Sequence, residues 1–163
     1  TEKRYSRSKT PFSANQFVDT ITAAKTALER AYQPYSEYFV GCGILCADGS
    51  IFSGCNVETI NYDGTHAEES AVAAMIMADR RDPVLCVCFG RHRDGPISCT
   101  ASCGKCRQVL LEFSRANGAD IWILVRVDTN TKGEKTARFM KLSDLLPHAF
   151  GPSTGVDLAK TRR

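Results

Sequence analysis

The stretch YFVGCGILCADGSIFSGCNV, residues 38–57, predicts the β-hairpin around which this chain is built. Residues 38–47 form an apolar run that is typical of a buried strand. Asp48-Gly49 is a strong hairpin turn signal, because glycine readily adopts the positive φ that such turns need. Residues 51–57 then return as a second strand. The hairpin therefore predicts a sheet at the centre of the fold.

Helical and strand patterns alternate on both sides of this hairpin. Upstream, residues 13–32 predict a helix with Ser13 as its N-cap, and Pro34 ends it. Downstream, helices are predicted at residues 66–78 and 104–117, and strands at residues 84–90, 121–127 and 136–142. One hairpin followed by alternating helices and strands predicts an α/β fold, a three-layer α/β/α sandwich with a mixed sheet of roughly five strands.

Length and charge indicate one globular domain with two basic ends. With 163 residues, the chain is long enough to bury a single core. We expect a flexible basic arm at residues 1–12, a central domain at residues 13–152 and a basic tail at residues 153–163. A net charge of +3 is too weak to favour a nucleic-acid polymer as partner. No apolar run approaches the roughly 18 residues of a membrane span, and no leader peptide is recognisable, so we expect a cytoplasmic protein.

Eight cysteines are many for a chain of this length. Four of them lie inside apolar runs: Cys42, Cys46, Cys86 and Cys88. In a reducing compartment such residues behave as small buried hydrophobic side chains rather than as disulfide partners. Cys103 and Cys106 differ from these four, because their spacing is typical of a metal site.

Two short segments predict that metal site, His66-Ala67-Glu68 and Ser102-Cys103-Gly104-Lys105-Cys106. Each segment opens a predicted helix. Two cysteines three residues apart at a helix start project to the same side, so both sulfurs can reach one ion. The helix N-terminus favours negative charge and helps to keep the thiols deprotonated. With the imidazole of His66 as the third ligand, this donor set suits one zinc ion per chain.

An acidic residue follows the predicted histidine ligand. Three protein ligands leave one tetrahedral position for water, which is typical of a catalytic rather than a structural zinc site. Zinc lowers the pKa of such a water to about 7. Glu68 lies two residues beyond His66, where its carboxylate can move a proton from this water to a leaving amine. The combination is the signature of zinc-dependent nucleobase deaminases.

Two other interpretations of these cysteines remain open at the level of sequence. Cys99 lies four residues before Cys103 and could complete a closed, structural four-ligand zinc site. Alternatively, Cys103 and Cys106 could form a thioredoxin-like redox pair, although such a pair has no use for His66 or Glu68.

Five sequence blocks resemble the nucleoside-specific branch of the cytidine deaminase family. They are residues 35–41 (YSEYFVG), residues 54–58 (GCNVE), the pair of zinc segments counted as one block, residues 106–113 (CRQVLLEF) and residues 145–151 (LLPHAFG). The resemblance implies that residues 13–152 form a catalytic domain with the cytidine-deaminase-like fold. It implies a hydrolase that converts cytidine and 2'-deoxycytidine to uridine and 2'-deoxyuridine, releases ammonia and serves pyrimidine salvage.

The resemblance also implies roles for individual residues near the substrate. Asn56 and Glu58 would hydrogen-bond the ribose hydroxyls. Tyr38, at a position where the family usually has Phe, would pack near the sugar and the base. Backbone groups near Ala67 and Ser102 would hold the edge of the pyrimidine.

A homo-oligomer is the further implication, with a tetramer favoured over a dimer. Phe150 matches a tail aromatic residue that would stack on the base bound by a neighbouring subunit; its alternative is packing in the core of its own chain. A nucleoside would be the small-molecule partner, with neither a nucleic-acid polymer nor a membrane involved.

The chain departs from the family pattern at and beside the metal site. Most short members use three cysteine ligands, and His66 replaces one of them here. Those members usually carry Arg directly after the catalytic Glu, where this chain has Glu69; two thiolates already balance a divalent ion, so no extra cation is required. Ser102 in place of Pro, and Cys42-Gly43 in place of small Ala residues, leave the choice of nucleoside open.

These departures leave alternatives to cytidine deamination. One is the same chemistry on another aminated substrate, such as a blasticidin-type nucleoside antibiotic or a nucleotide. Another is a zinc-stabilised binding module without activity, against which the intact Glu68 argues.

Overall fold

The structure is a computed structural model and describes residues 10–151. The basic tail predicted at residues 153–163, and most of the arm predicted at residues 1–12, therefore lie outside the described residues. Within residues 10–12, the Phe12 ring packs against the Phe139 ring of the sheet, with 5.6 Å between the ring centroids.

Four helices and eight strands make up the described chain. The helices are α1 (Ala14–Leu28), α2 (Ala67–Met77), α3 (Gly104–Asn117) and α4 (Leu142–Leu145). The strands are β1 (Tyr38–Cys46), β2 (Ile51–Cys55), β3 (Val57–Glu58), β4 (Gly64–Thr65), β5 (Pro83–His92), β6 (Ser98–Cys99), β7 (Trp122–Thr129) and β8 (Lys135–Lys141).

The main sheet is mixed, as the sequence predicted. Five strands follow one another in the order β2-β1-β5-β7-β8, and the short strand β6 pairs with β5 as a sixth. Strands β5 and β7 are parallel, because helix α3 provides the crossover between them, and the other pairs in this sheet are antiparallel. The predicted path of about five strands is therefore confirmed, with β6 as an addition.

The central hairpin forms where residues 38–57 predicted it. Gly49 in the turn has a φ of +90°, a backbone conformation that residues other than glycine rarely adopt. Strand β2 stops at Cys55 because Asn56 turns its side-chain amide back onto β1. Its Oδ1 accepts from the Val40 N–H at 2.8 Å, and its Nδ2 donates to the Tyr38 carbonyl at 2.9 Å.

Helices cover both faces of the sheet, which gives the predicted three layers. On one face α1 lies so close to β1 that a Cβ added at Gly41 would meet the Ala24 carbonyl oxygen at 2.0 Å. On the other face α2 approaches β2 closely, and a Cβ at Gly54 would meet the Ala71 nitrogen at 2.3 Å. Each face has its own apolar cluster, and the α2 and α3 side carries the larger one.

The largest difference from the sequence-predicted boundaries is at the end of α1. Helix α1 ends at Leu28 rather than at residue 32, because Tyr32 pairs with the strand region instead. The Tyr32 N–H donates to the Asn56 carbonyl at 3.0 Å, and the Tyr32 carbonyl accepts from the Glu58 N–H at 2.8 Å. By contrast, Ser13 is the N-cap of α1, and α3 has the predicted bounds.

Within residues 10–151, no helix combines the length and the apolar character needed to cross a lipid bilayer.

Candidate active site

The predicted ligands lie together at the starts of two helices. His66 is the N-cap of α2 and Cys103 is the N-cap of α3, while Cys106 lies in the first turn of α3. Both thiols face the same ring nitrogen: Nδ1 of His66 is 3.4 Å from Sγ of Cys103 and 3.2 Å from Sγ of Cys106. The structure therefore brings all three side chains to one point.

The spacing of these atoms fits a zinc ion. Bonds of about 2.3 Å to sulfur and about 2.0 Å to nitrogen at a tetrahedral centre separate sulfur and nitrogen by about 3.5 Å. The two observed separations, 3.4 and 3.2 Å, are close to this value. One imidazole and two thiols are also the donors that zinc prefers. When bound, the ion would lower the pKa of a coordinated water to about 7.

Cys106 shows why a cation is needed at this point. Its side chain is fully buried, and this burial, reinforced by the nearby Glu68 carboxylate, raises the pKa of the Cys106 thiol far above its usual range. A thiol in such surroundings stays protonated until a metal ion replaces the proton. Metal binding at this site therefore releases a proton.

Glu68 lies beside the ligands but is not one of the three. It is on the first turn of α2 and only 5% exposed. The Cys106 thiol is within hydrogen-bonding reach of its carboxylate. A buried carboxylate next to a metal site is well placed to accept and return protons.

Glu69 joins the two ligand-bearing helices. Its Oε2 accepts from the His66 backbone N–H at 2.9 Å and pairs with Nζ of Lys105 at 3.0 Å. Partial burial raises the pKa of Glu69, but the His66 N–H and the Lys105 ammonium outweigh this effect and the net pKa is lowered. The sequence predicts that no compensating cation is required at position 69; the structure nevertheless places one beside Glu69, the ammonium of Lys105, which lies between the two cysteine ligands in the sequence.

Replacing Glu69 with alanine is expected to lower the free energy of unfolding by about 1 kcal/mol, because the first turn of α2 loses an acceptor for its cap N–H. Glu69→Gln keeps an amide oxygen for that N–H and should lose less. Urea titration of the zinc-loaded variants measures the difference. Equal losses in both variants would show that the ion pair, not the cap bond, carries the effect, and Lys105→Gln provides the matched control.

A cavity of about 180 Å³ opens in front of Glu68 and His66. Its other lining residues are Val40, Asn56, Val57, Glu58, Gly64, Thr65 and Ala67. Glu58 also borders a second, outer cavity of about 430 Å³ that is lined by Tyr35 and Tyr62. The metal site, Glu58 and the outer surface therefore lie along one cleft.

The two residues predicted to bind ribose both line the inner cavity, but they already hold backbone groups. The Asn56 amide bonds to β1 through both of its polar atoms. Oε2 of Glu58 accepts from the Tyr35 and Ser36 backbone N–H groups, each at 3.0 Å. Hydrogen bonds from Ser36, through its side chain and its backbone, lower the pKa of Glu58, so this carboxylate is ionised.

The remaining predicted residues are distributed differently. Ala67 lines the inner cavity and is 1% exposed, and Ser102 is buried beneath the site. Tyr38 is not among the described residues that line this cavity. Its ring packs against the ring of His92, with 4.9 Å between the ring centroids. Phe150 is 86% exposed, and its backbone bonds to the Gln108 side-chain amide in both directions. This exposure excludes the core-packing alternative for Phe150.

The closed four-ligand zinc site is not supported. Cys99 lies on β6, and its Sγ faces the Leu124 carbonyl at 4.0 Å, within the apolar cluster on the α1 side of the sheet. The described clusters able to hold a metal ion include His66 with Cys103 and Cys106, without Cys99. All eight cysteines are free thiols, including the four in apolar runs that the sequence predicted to form no disulfide.

Four lining residues have no role assigned from the sequence: Val40, Val57, Gly64 and Thr65. Val40 follows Tyr38 on the same face of β1, and strand alternation could have indicated it. Gly64 and Thr65 form β4, a two-residue strand that pairs with β3 and carries no recognisable pattern. Their position becomes apparent only from the pairing.

One imidazole and two thiols at two helix starts, beside a buried carboxylate in an α/β/α sandwich, define a zinc-dependent hydrolytic deaminase. The family model described as "Cytidine and deoxycytidylate deaminase zinc-binding region" matches residues 15–118. The chain belongs to this family.

Known cytidine deaminases are similar to this chain in sequence and in structure over most of its length. The cytidine deaminase of Mycobacterium tuberculosis is 36% identical over 140 residues, which cover 86% of this chain and 91% of that protein. The cytidine deaminase of Sporosarcina psychrophila is 36% identical over 132 residues, 80% of this chain and 88% of that one. The crystal structure of cytidine deaminase from Burkholderia pseudomallei superposes with a TM-score of 0.64 at 34% identity, covering 85% of this chain and 100% of the other.

Proposed function

We propose that this chain is a cytidine deaminase that hydrolyses cytidine and 2'-deoxycytidine to the uridine forms and ammonia. The observation that carries the proposal is the arrangement along one cleft: the metal ligand His66 and Glu68 line its inner cavity, and the ionised Glu58 borders both the inner and the outer cavity. A pyrimidine directed inward would place its amino group at the metal site and its sugar at Glu58. Such a reaction returns a free nucleoside for reuse, which fits pyrimidine salvage.

In this mechanism Glu68 performs the proton transfers. It accepts one proton from the attacking water and delivers it to N3 of the pyrimidine. It then transfers the second proton of the water to the departing amine, which leaves as ammonia. The net change is one water consumed and one ammonia released. Because Glu68 is 5% exposed, bulk water does not compete for these protons.

Backbone and cavity walls orient the base in the same proposal. Ala67 lies between His66 and Glu68 and lines the cavity, so its backbone faces the pyrimidine edge. Ser102 directly precedes Cys103 and is 2% exposed, which makes its backbone a fixed point beside the metal. Asn56 ties the β2 end to β1 and fixes the wall from which Glu58 projects.

Glu58 is expected to bind the sugar more than to affect the chemical step. Glu58→Gln should raise KM for cytidine about tenfold and change kcat little, because a charged hydrogen bond to a hydroxyl is lost while Glu68 is untouched. Steady-state kinetics measures both constants. Glu134→Gln, the same substitution at the turn between β7 and β8, is the matched control and should change neither. A fall in kcat with constant KM would contradict the assignment.

The ionised Glu58 also distinguishes the alternative substrates. A carboxylate at the sugar end repels a 5'-phosphate, so the proposal favours a nucleoside over a nucleotide. A blasticidin-type antibiotic would present a larger group in place of the ribose and would extend into the outer cavity. A binding module without activity would release no ammonia from any of them.

Ammonia release from a substrate panel tests the proposal. The panel contains cytidine, 2'-deoxycytidine, deoxycytidine monophosphate and blasticidin S, each with and without a zinc chelator. We expect release from the first two and none after chelation. Release from the monophosphate or the antibiotic alone would replace the proposed substrate, and no release from any of them, with zinc bound, would support the binding module.

A homo-oligomer, with a tetramer favoured, is part of the proposal. Its support is Phe150, an exposed aromatic ring whose backbone is fixed to α3 by the Gln108 amide. An exposed ring whose backbone is fixed to the active-site helix suits stacking on a nucleoside bound by a neighbouring subunit. Light scattering of the purified chain and of Phe150→Ala, together with KM for cytidine, tests this assembly.

A further inference from the structure

Three cysteines form a second cluster behind the active site. Cys42 lies on β1, and Cys86 and Cys88 lie on the neighbouring strand β5. Cys42 is directly opposite Cys88 in the antiparallel register, and Cys86 is two residues before Cys88, so all three side chains project from the same face. Their sulfur atoms lie within 4.8 Å of one another, and those of Cys42 and Cys86 are 3.6 Å apart. The arrangement is that of a three-ligand site.

The cluster is closed to solvent and separate from the zinc ligands. Cys42 and Cys86 are 0% exposed and Cys88 is 2% exposed, beneath α2 and α3. One polar neighbour of the cluster is Ser102, whose Oγ lies 3.9 Å from Sγ of Cys88. The three thiols have one another as their main partners in a largely apolar core, and the Glu68 carboxylate also lies near them.

The protonation of the three thiols is shared within the cluster. Burial raises the pKa of Cys42, and the hydrogen bond with Cys42 raises that of Cys88. Hydrogen bonds with Cys42 and Cys88 lower the pKa of Cys86 to about 6.

Net charge decides which ion suits these thiols. Three thiolates around a divalent ion leave one negative charge, and around a monovalent ion they leave two. An uncompensated charge in a dry core is strongly unfavourable, and the nearby Glu68 carboxylate adds repulsion, as its effect on Cys42 shows. Three thiolates around a trivalent ion leave no net charge. We propose that Cys42, Cys86 and Cys88 form a binding site for trivalent arsenic, distinct from the zinc site.

The binding reaction balances without an oxidant. Arsenous acid carries three hydroxyl groups, and each thiol replaces one of them. Three arsenic–sulfur bonds form, three arsenic–oxygen bonds break, and three water molecules leave with the thiol protons. The oxidation states of arsenic and sulfur do not change. Because the thiols are buried, arsenous acid reaches them through local opening of the core, and binding is slow.

Arsenite added to the zinc-loaded chain tests this proposal. We expect native mass spectrometry to show one arsenic atom per chain with the zinc ion retained, and X-ray absorption at the arsenic edge to show three sulfur neighbours. Cys42→Ala, Cys86→Ala and Cys88→Ala should each reduce arsenic binding at least tenfold. Cys99→Ala, which removes a partly buried thiol outside both clusters, should bind arsenic normally.

Other results would overturn the site. Loss of zinc as arsenic binds would assign the arsenic to Cys103 and Cys106. Normal arsenic binding in Cys86→Ala, or no arsenic in the unsubstituted chain, would show that the cluster is only part of the core. Thermal unfolding identifies any variant that fails to fold, and the arsenic edge spectrum of the unsubstituted chain then decides, since fewer than three sulfur neighbours contradicts the proposal.

Discussion

Replacing Glu68 with glutamine is expected to reduce kcat for cytidine by about 10³-fold, because the amide cannot accept a proton from water or deliver one to the base. The substitution preserves size and shape in a side chain that is 5% exposed. Zinc content should stay at one ion per chain, since the three ligand side chains are unchanged. Ammonia release under saturating substrate measures the loss, and metal analysis measures the zinc.

Stability separates a catalytic role of Glu68 from a structural one. A buried carboxylate is costly to desolvate, so a neutral amide of the same size should leave the free energy of unfolding equal or higher. Glu68→Asp keeps the charge but shortens the reach, and we expect intermediate activity from it. Full turnover in Glu68→Gln would remove Glu68 from the mechanism. Lost activity together with lost zinc or a large loss of stability would assign Glu68 to the structure instead.

The parts of the site that could be predicted from the sequence depend on local geometry. Cys103 and Cys106 are three residues apart at a helix start, and this spacing alone places both sulfurs on one side of α3. The central hairpin follows in the same way from Asp48-Gly49, because the turn requires a positive φ. Geometry of this kind depends on only a few consecutive residues, so it can be predicted from the local sequence.

The parts that could not be predicted depend on pairing between distant segments. The Glu69–Lys105 ion pair forms because α2 and α3 start side by side, which neither helix pattern reveals. The end of α1 was predicted four residues too late, because the pairing of Tyr32 with the Val57 region outweighs its helical pattern. In each case, tertiary contacts override what the local sequence favours.

Replacing Cys103 with alanine is expected to reduce zinc from one ion per chain to nearly none, because a single thiol and an imidazole hold the ion far less tightly than three ligands. The same substitution at Cys106 should have the same effect on zinc. Stability should fall with the metal: an ion present at 1,000 times its dissociation constant stabilises the folded chain by about 4 kcal/mol. Metal analysis and thermal unfolding, each with and without a chelator, measure both effects.

The chelator distinguishes loss of the ion from damage to the fold. It should lower the melting temperature of the unsubstituted chain to that of Cys103→Ala, and it should leave Cys103→Ala unchanged. Cys99→Ala, whose thiol lies on the other side of the sheet, should keep its zinc and respond to the chelator as the unsubstituted chain does. Full zinc in Cys103→Ala would contradict the ligand assignment.

Because Cys106 is fully buried whereas Cys103 is exposed, the two metal-free variants should differ in stability. Only Cys106→Ala leaves a small cavity in the core, so it should be the less stable of the two.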